Sequence, residues 1–252
     1  MNDPIYRHVE PIQSQVKHSP GGLFDKYRQL TVGRKSIGAL LAYECITTLF
    51  GNLPGAVGYG LRRLYYPRLF RSVGKGTIFG RNIDVTNGHR INIGKNCIIG
   101  DGCELGVKGE TDGICIGNDV TIGRGTLLRT RSGEISIGND GKIGALCNLV
   151  SRGAPLVIGS HNLMGAYCYL GTSTHEYHNR QIPIHEQDFI LEPIKVGKDV
   201  WLGVRTTVIA GSTIGDGCVI GACSLVKGEI PPNQVAFGVP AVPFKSRGSS
   251  GG

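Results

Sequence analysis

His175 is the residue in this chain best placed to do chemistry. It ends the run Leu170-Gly-Thr-Ser-Thr-His175 and opens onto the 20 residues 176–195, the longest stretch that interrupts the chain's repeat. An imidazole titrates near neutrality, so it can take a proton from a hydroxyl without special tuning. Against that stands the ordinary fate of a loop histidine, which is to be solvated. His178 and His185 share the stretch as bystanders, and Glu176 is adjacent and could orient the ring. A segment this long in a compact rod is functional or disordered. Its apolar part, Phe189-Ile190-Leu191, is expected to pack on something, a neighbouring chain included. Trp201, the only tryptophan, stands in Val200-Trp-Leu-Gly203 where packing does not demand a large ring. Contact with a ligand or a neighbouring subunit explains it better.

What positions these residues is a period of six. From Val196 to Ile230 an aliphatic residue recurs at 196, 202, 208, 214, 220 and 226. Six fits neither a helix nor an alternating strand; it is the signature of a hexapeptide β-helix. Carried backwards, the register starts at Val73, Phe79 and Val85, and runs through Ile93, Ile116, Ile137 and Ile158. That gives 21 apolar positions, 16 of them followed by glycine; the exceptions (Thr86, Arg129, Val150, Ile209, Lys227) all lie on the third side of a three-sided coil. Successive coils begin at 73, 93, 116, 137, 158, 196 and 214, so beyond 18 residues each they carry 2, 5, 3, 3, 20 and 0 extra. All insertions fall at one corner, where a solenoid tolerates them. Seven coils make a rod about 34 Å long.

Composition agrees. Aromatics are only 7% and glycines number 40, which suits thin coils better than a globular core. Of the net charge of +8, residues 1–75 carry +7 (11 Lys and Arg against 4 Asp and Glu), so the prism itself is nearly neutral. That argues against a nucleic-acid face along the repeats and points to an anionic surface near the N-terminal segment. Cys97, Cys103, Cys147, Cys168 and Cys218 occupy the small inward position and are expected to be buried thiols in a reducing cytosol. No CxxC pair offers a zinc site. Corner residues such as Asn82, Asn96, Asp101, Asn118, Asp119, Asn139 and Asp140 are turn formers first.

The expected organisation is a polar arm over 1–35, an apolar and basic helical segment over 36–72, the β-helix over 73–231, a tail over 232–247 and a flexible end over 248–252. Segment 36–72 breaks at Pro54-Gly55 and ends in arginines 62, 63, 68 and 71 interleaved with Tyr65, Tyr66 and Phe70. Neither half reaches the roughly 20 apolar residues a spanning helix needs. It is expected to lie in a membrane interface, to cap the open end of the prism, or both. No cleavable signal peptide is visible, so a cytoplasmic location is expected, at the inner face of a membrane if the segment binds lipid.

At Thr174-His175, Ile194-Lys-Val-Gly-Lys-Asp-Val-Trp-Leu-Gly203, Val219-Ile-Gly-Ala222, Glu229-Ile-Pro-Pro232 and Phe237-Gly-Val-Pro-Ala241 the sequence resembles the left-handed β-helix acyltransferases. The likeness is to the galactoside and maltose acetyltransferases and the O-acetyltransferases of exopolysaccharide and colanic acid synthesis, over about 73–245. The resemblance implies an all-β fold, a left-handed parallel β-helix of about seven three-sided coils with a short helical N-terminal segment. It implies acetyl-CoA as co-substrate, no metal, a saccharide acceptor (lipid-linked if the segment 36–72 touches membrane), and a homotrimer with active sites between subunits. Residue by residue, it implies His175 as general base and the backbone N–H at Gly203 as oxyanion donor. Asn148 and Glu176 would contact the acceptor, and Trp201, Gly203, Ala222, Lys227 and Lys245 the coenzyme. Val226-Lys-Gly-Glu departs from the family's Val-Thr-Lys-Asp, so Lys245 or Arg247 is expected to share the phosphate contact.

Two other readings compete. A non-catalytic scaffold predicts no coenzyme binding and indifference to His175→Ala. A zinc enzyme of the γ-carbonic anhydrase type would use His161, His175 and His178, whose spacing does not resemble that family's.

Overall fold

The computed structural model describes residues 5–7, 22–109 and 113–248. Most of the polar arm and residues 249–252 of the flexible end lie outside the described residues.

Three parallel sheets of two- to five-residue strands form the sides of a prism of about seven coils. The first face stacks Val73, Ile93, Ile116, Ile137, Ile158, Val196, Ile214 and Ile230 in register. The second stacks Phe79, Ile99, Ile122, Ile143, Met164, Leu202, Ile220 and Ala236. Val85, Leu105, Leu128, Leu149, Leu170, Val208 and Val226 make the third. Every one of these except Val73 is buried. A one-residue slip would turn a whole column to solvent, which is why the sequence period fixes the register.

The inward cysteines are buried as expected, and those of Cys97, Cys103, Cys147, Cys168 and Cys218 direct their thiols at backbone carbonyls of the next turn. At the corners Asn82, Asn96, Asp119, Asp140 and Asp199 take positive φ. Others tie coil to coil: Asn118 accepts from the Lys95 amide and Asn139 from that of Asn118, both at 2.8 Å.

The N-terminal segment is more helical than its sequence promises. Helix α1 (Leu23–Thr31) falls within the expected arm, and Ile5–Arg7 forms a strand. Helices α2 (Ile37–Phe50) and α3 (Gly55–Tyr65) flank the Pro-Gly break, and Ser36 caps α2 by accepting from the Ala39 amide. They lie against the first coil, where Ile46, Tyr66 and Phe70 join Phe79 in one core. Arg62, expected among the surface cations, is instead buried and donates to the carbonyls of Phe79, Phe50 and Leu53. The fork satisfies three carbonyls at a junction where no regular ladder reaches them.

The expected C-terminal tail is also structured. Gln234–Gly238 continues the second face, and Ala241–Ser246 pairs antiparallel with it.

Candidate active site

The long insertion folds back on its own chain rather than waiting for a neighbour. Ser173–His175 pairs antiparallel with Phe189–Leu191, which pairs in turn with Ile5–Arg7. Leu191 is buried in this small sheet. The sheet holds His175 exposed at the corner where the third face turns toward the first, its ring 4.2 Å from that of Phe189. Phe189 also carries the Arg152 guanidinium, 4.2 Å from its ring centroid.

Glu176 does not orient His175. Its carboxylate accepts from the amides of Tyr177 and His178 and pairs with the His178 ring, and those contacts hold its pKa below the usual carboxylate range. His161 sits apart, 3.6 Å from Asp140. The three histidines therefore do not converge, and among the described residues no group of three or more metal-ligating side chains could hold a metal ion.

Asn148 lies on the outer side of the third face beside Tyr169. Its Oδ1 is buried and has no partner among the described residues. Tyr169 lies along the strand over Gly171, where a Cβ would meet the phenol oxygen at 2.3 Å. The period of six does not mark Tyr169 or Arg152, because the repeat constrains inward positions and these two face out; Phe189 belongs to the apolar run expected to pack, and its partner is His175.

The expected coenzyme residues divide. Trp201, 51% exposed, stands on the second face, and Gly203 and Ala222 stack at the corner that follows it. The Gly203 amide is already committed, donating to the Ile220 carbonyl at 2.8 Å, so it is not the oxyanion donor the resemblance implies. The neighbouring amides of Val204 and Ala222 have no acceptor among the described residues. They are the donors this corner can offer: the resemblance already points to Ala222, while nothing in the side chain of Val204 marks its amide. Lys245 lies on the Trp201 side of the prism through the pairings Trp201–Val219–Val235–Lys245. Lys227 follows the third face instead, away from Trp201. Arg247 is held by Asp199 at 2.8 Å. Within one chain, then, His175 and the Trp201 corner occupy different edges of the prism.

Residues 193–228 match the bacterial transferase hexapeptide family (six repeats). Galactoside O-acetyltransferase of Escherichia coli K12 is 54% identical over 48 residues, 19% of this chain and 24% of that protein. A protein of the same organism provisionally named a colanic acid biosynthesis acetyltransferase is 38% identical over 79 residues, 31% of this chain and 41% of it. The chain thus aligns with less than half the length of these relatives. Among solved structures, a variant of AntD, an N-acyltransferase from Bacillus cereus in complex with dTDP-4-amino-4,6-dideoxyglucose and coenzyme A, is 22% identical with a TM-score of 0.49, covering 71% of this chain and 84% of that one. Residues 193–228 thus match a repeat of bacterial transferases, and the relatives the chain resembles are named acetyltransferases.

Proposed function

We propose that this chain is an acetyl-CoA-dependent O-acyltransferase that acetylates a saccharide hydroxyl in exopolysaccharide or other surface-glycan synthesis. The observation that carries the reading is the placement of His175, exposed yet held by Phe189 at the edge of a face bearing Asn148 and Tyr169. The acceptor oxygen bonds to the acyl carbon of the thioester as its proton passes to the His175 imidazole. The carbon–sulfur bond then breaks, and the same proton leaves with the thiol, returning His175 to its starting state. Val204 and Ala222 amides would hold the negative oxygen or the pantetheine arm. Trp201 and Lys245 fit a coenzyme laid along the second face.

His175 and Trp201 stand on different edges of one prism, so a site using both needs a second copy. A cyclic trimer supplies three such sites at once.

The test is calorimetric titration with acetyl-CoA and CoA. Trp201→Ala should weaken binding, and His175→Ala should bind normally while losing about 10²- to 10⁴-fold in turnover. No acyl-CoA binding by correctly assembled protein would leave the scaffold reading in its place.

A cytoplasmic site at a membrane face is part of this reading. Leu23, Ile37, Leu41, Leu49, Val57 and Leu64 are exposed on α1–α3, with Arg63, Arg68 and Arg71 also exposed nearby. No helix among the described residues is long and apolar enough to cross a membrane, so an interfacial contact is proposed. Co-flotation with vesicles containing anionic lipid, lost in Leu23→Glu/Leu41→Glu, would support it; wild type remaining at the bottom of the gradient would remove it.

A further inference from the structure

Three cations stack on the third face just before it reaches His175. Lys108, Arg131 and Arg152 occupy the same register position on neighbouring strands, about 4.8 Å apart. Like charges placed side by side on a sheet destabilise it. Burial adds to the cost, lowering the pKa of Arg152 and, together with the charge of Arg152, that of Arg131. Several outward arginines of the prism take an acid: Arg129 takes Glu104, Arg81 takes Asp101 and Arg247 takes Asp199; Arg205 instead stacks on Tyr167.

Arg152 also stacks on a ring, and its ring is the one beside His175. Its guanidinium is half-buried over Phe189 and makes no hydrogen bond or ion pair with any described residue. Stacking fixes the plane of the fork and leaves its N–H edge for a planar or tetrahedral oxyanion. The ring it stacks on is the one that holds His175, and both contacts are 4.2 Å to the Phe189 centroid. Guanidinium carbon and imidazole are therefore no more than twice that distance apart. The floor between the Arg152 strand and the Tyr169 strand is Val150 and Gly171, paired in register, with Asn148 and Tyr169 beside them.

We propose that Arg152, held over Phe189 beside His175, binds a phosphate or diphosphate carried by the acceptor, so that the saccharide presented to His175 is a diphosphate-linked sugar rather than a free one. The inference rests on the transferase reading for its sugar, but the anion site stands on its own contacts. A nucleotide and a polyprenyl lipid are the two carriers of that group which the same fork would accept.

Calorimetric titration of the full chain with inorganic pyrophosphate, in saturating CoA so that the coenzyme's own phosphate site is filled, tests the anion site. Wild type should bind, Arg152→Gln should bind at least about tenfold more weakly, and Arg152→Lys should retain part of the affinity. Equal melting temperatures for the three will show that the loss is not unfolding. Competition then separates the sources: displacement by UDP-galactose assigns a nucleotide carrier, and displacement by farnesyl diphosphate in detergent micelles a lipid one. Pyrophosphate binding that is absent, or indifferent to Arg152→Gln, overturns the inference, as does displacement by neither compound or by free galactose as readily as by UDP-galactose. Failure of CoA itself to bind is read in the same samples and counts against the transferase reading alone.

Discussion

His175 and Phe189 face each other across an antiparallel pair, ring centroids 4.2 Å apart and planes inclined at 44°. The histidine is thus positioned by a residue that follows it in the same insertion, and the insertion makes its own mount. Phe189→Ala should lower kcat about ten- to a hundredfold, the range expected when a reacting group is misplaced by an ångström. The affinity for CoA should stay unchanged, and Phe189→Tyr should restore most of the rate. Equal losses in kcat for Phe189→Ala and Phe189→Tyr would point to a structural defect instead.

Gly171→Ala probes the face in front of that histidine. The new methyl would meet the Tyr169 phenol oxygen at 2.3 Å and its ring carbons just beyond, so the phenol must swing away. Because the clash is with the far end of a side chain, stability should change by less than about 1 kcal/mol. The KM for the acceptor should rise several-fold while CoA binding is unaffected, as steady-state kinetics with each substrate varied will show.

A different glycine tests the corner. A Cβ at Gly203 would lie 2.5 Å from the Ala222 amide nitrogen and 2.8 Å from its Cα, both backbone atoms that cannot step aside. Gly203→Ala should cost about 1–3 kcal/mol or more and weaken CoA binding. Gly60→Ala, in α3 with open space around it, should instead stabilise by up to about 1 kcal/mol. Thermal and denaturant unfolding of the two variants should move in opposite directions.

Thiol chemistry reports the core. Burial pushes the Cys97, Cys103 and Cys218 thiols above their ordinary pKa, so at pH 8 they hold less thiolate than a free cysteine and are shielded as well. Iodoacetamide should leave them, with buried Cys147 and Cys168, unmodified in the folded protein, while Cys45, Cys115 and Cys223 react. All five buried thiols should appear in the mass spectrum only after unfolding in guanidinium.

The solenoid was legible because one physical constraint, an inward column every six residues, repeats through the sequence. Even Met164 fell on its predicted rung between Ile143 and Leu202. His175 and Trp201 could be singled out because each breaks that monotony. The mount of His175 could not, since pairing Phe189 with His175 and Ile190 with Tyr6 joins segments whose alternation is too short to signal a strand partner. Arg62 looked like one more surface cation because nothing in a run of arginines says which one will find three carbonyls. Outward residues such as Tyr169 and Arg152 acquire meaning only when stacking sets them beside residues from other coils.

The two ends of the rod bear on a hazard that every stacked sheet carries. A coil whose upper edge displays unpaired parallel strands is a template for the lower edge of another copy, and such contacts propagate without limit. Here the lower end is roofed by α2 and α3, and the second face is closed above by Ala241–Ser246 running in the reverse direction. An incoming parallel strand meets the wrong polarity there and finds helices at the other pole. The same short return strand that carries Lys245 therefore helps keep the molecule finite in length, a particle and not a fibre.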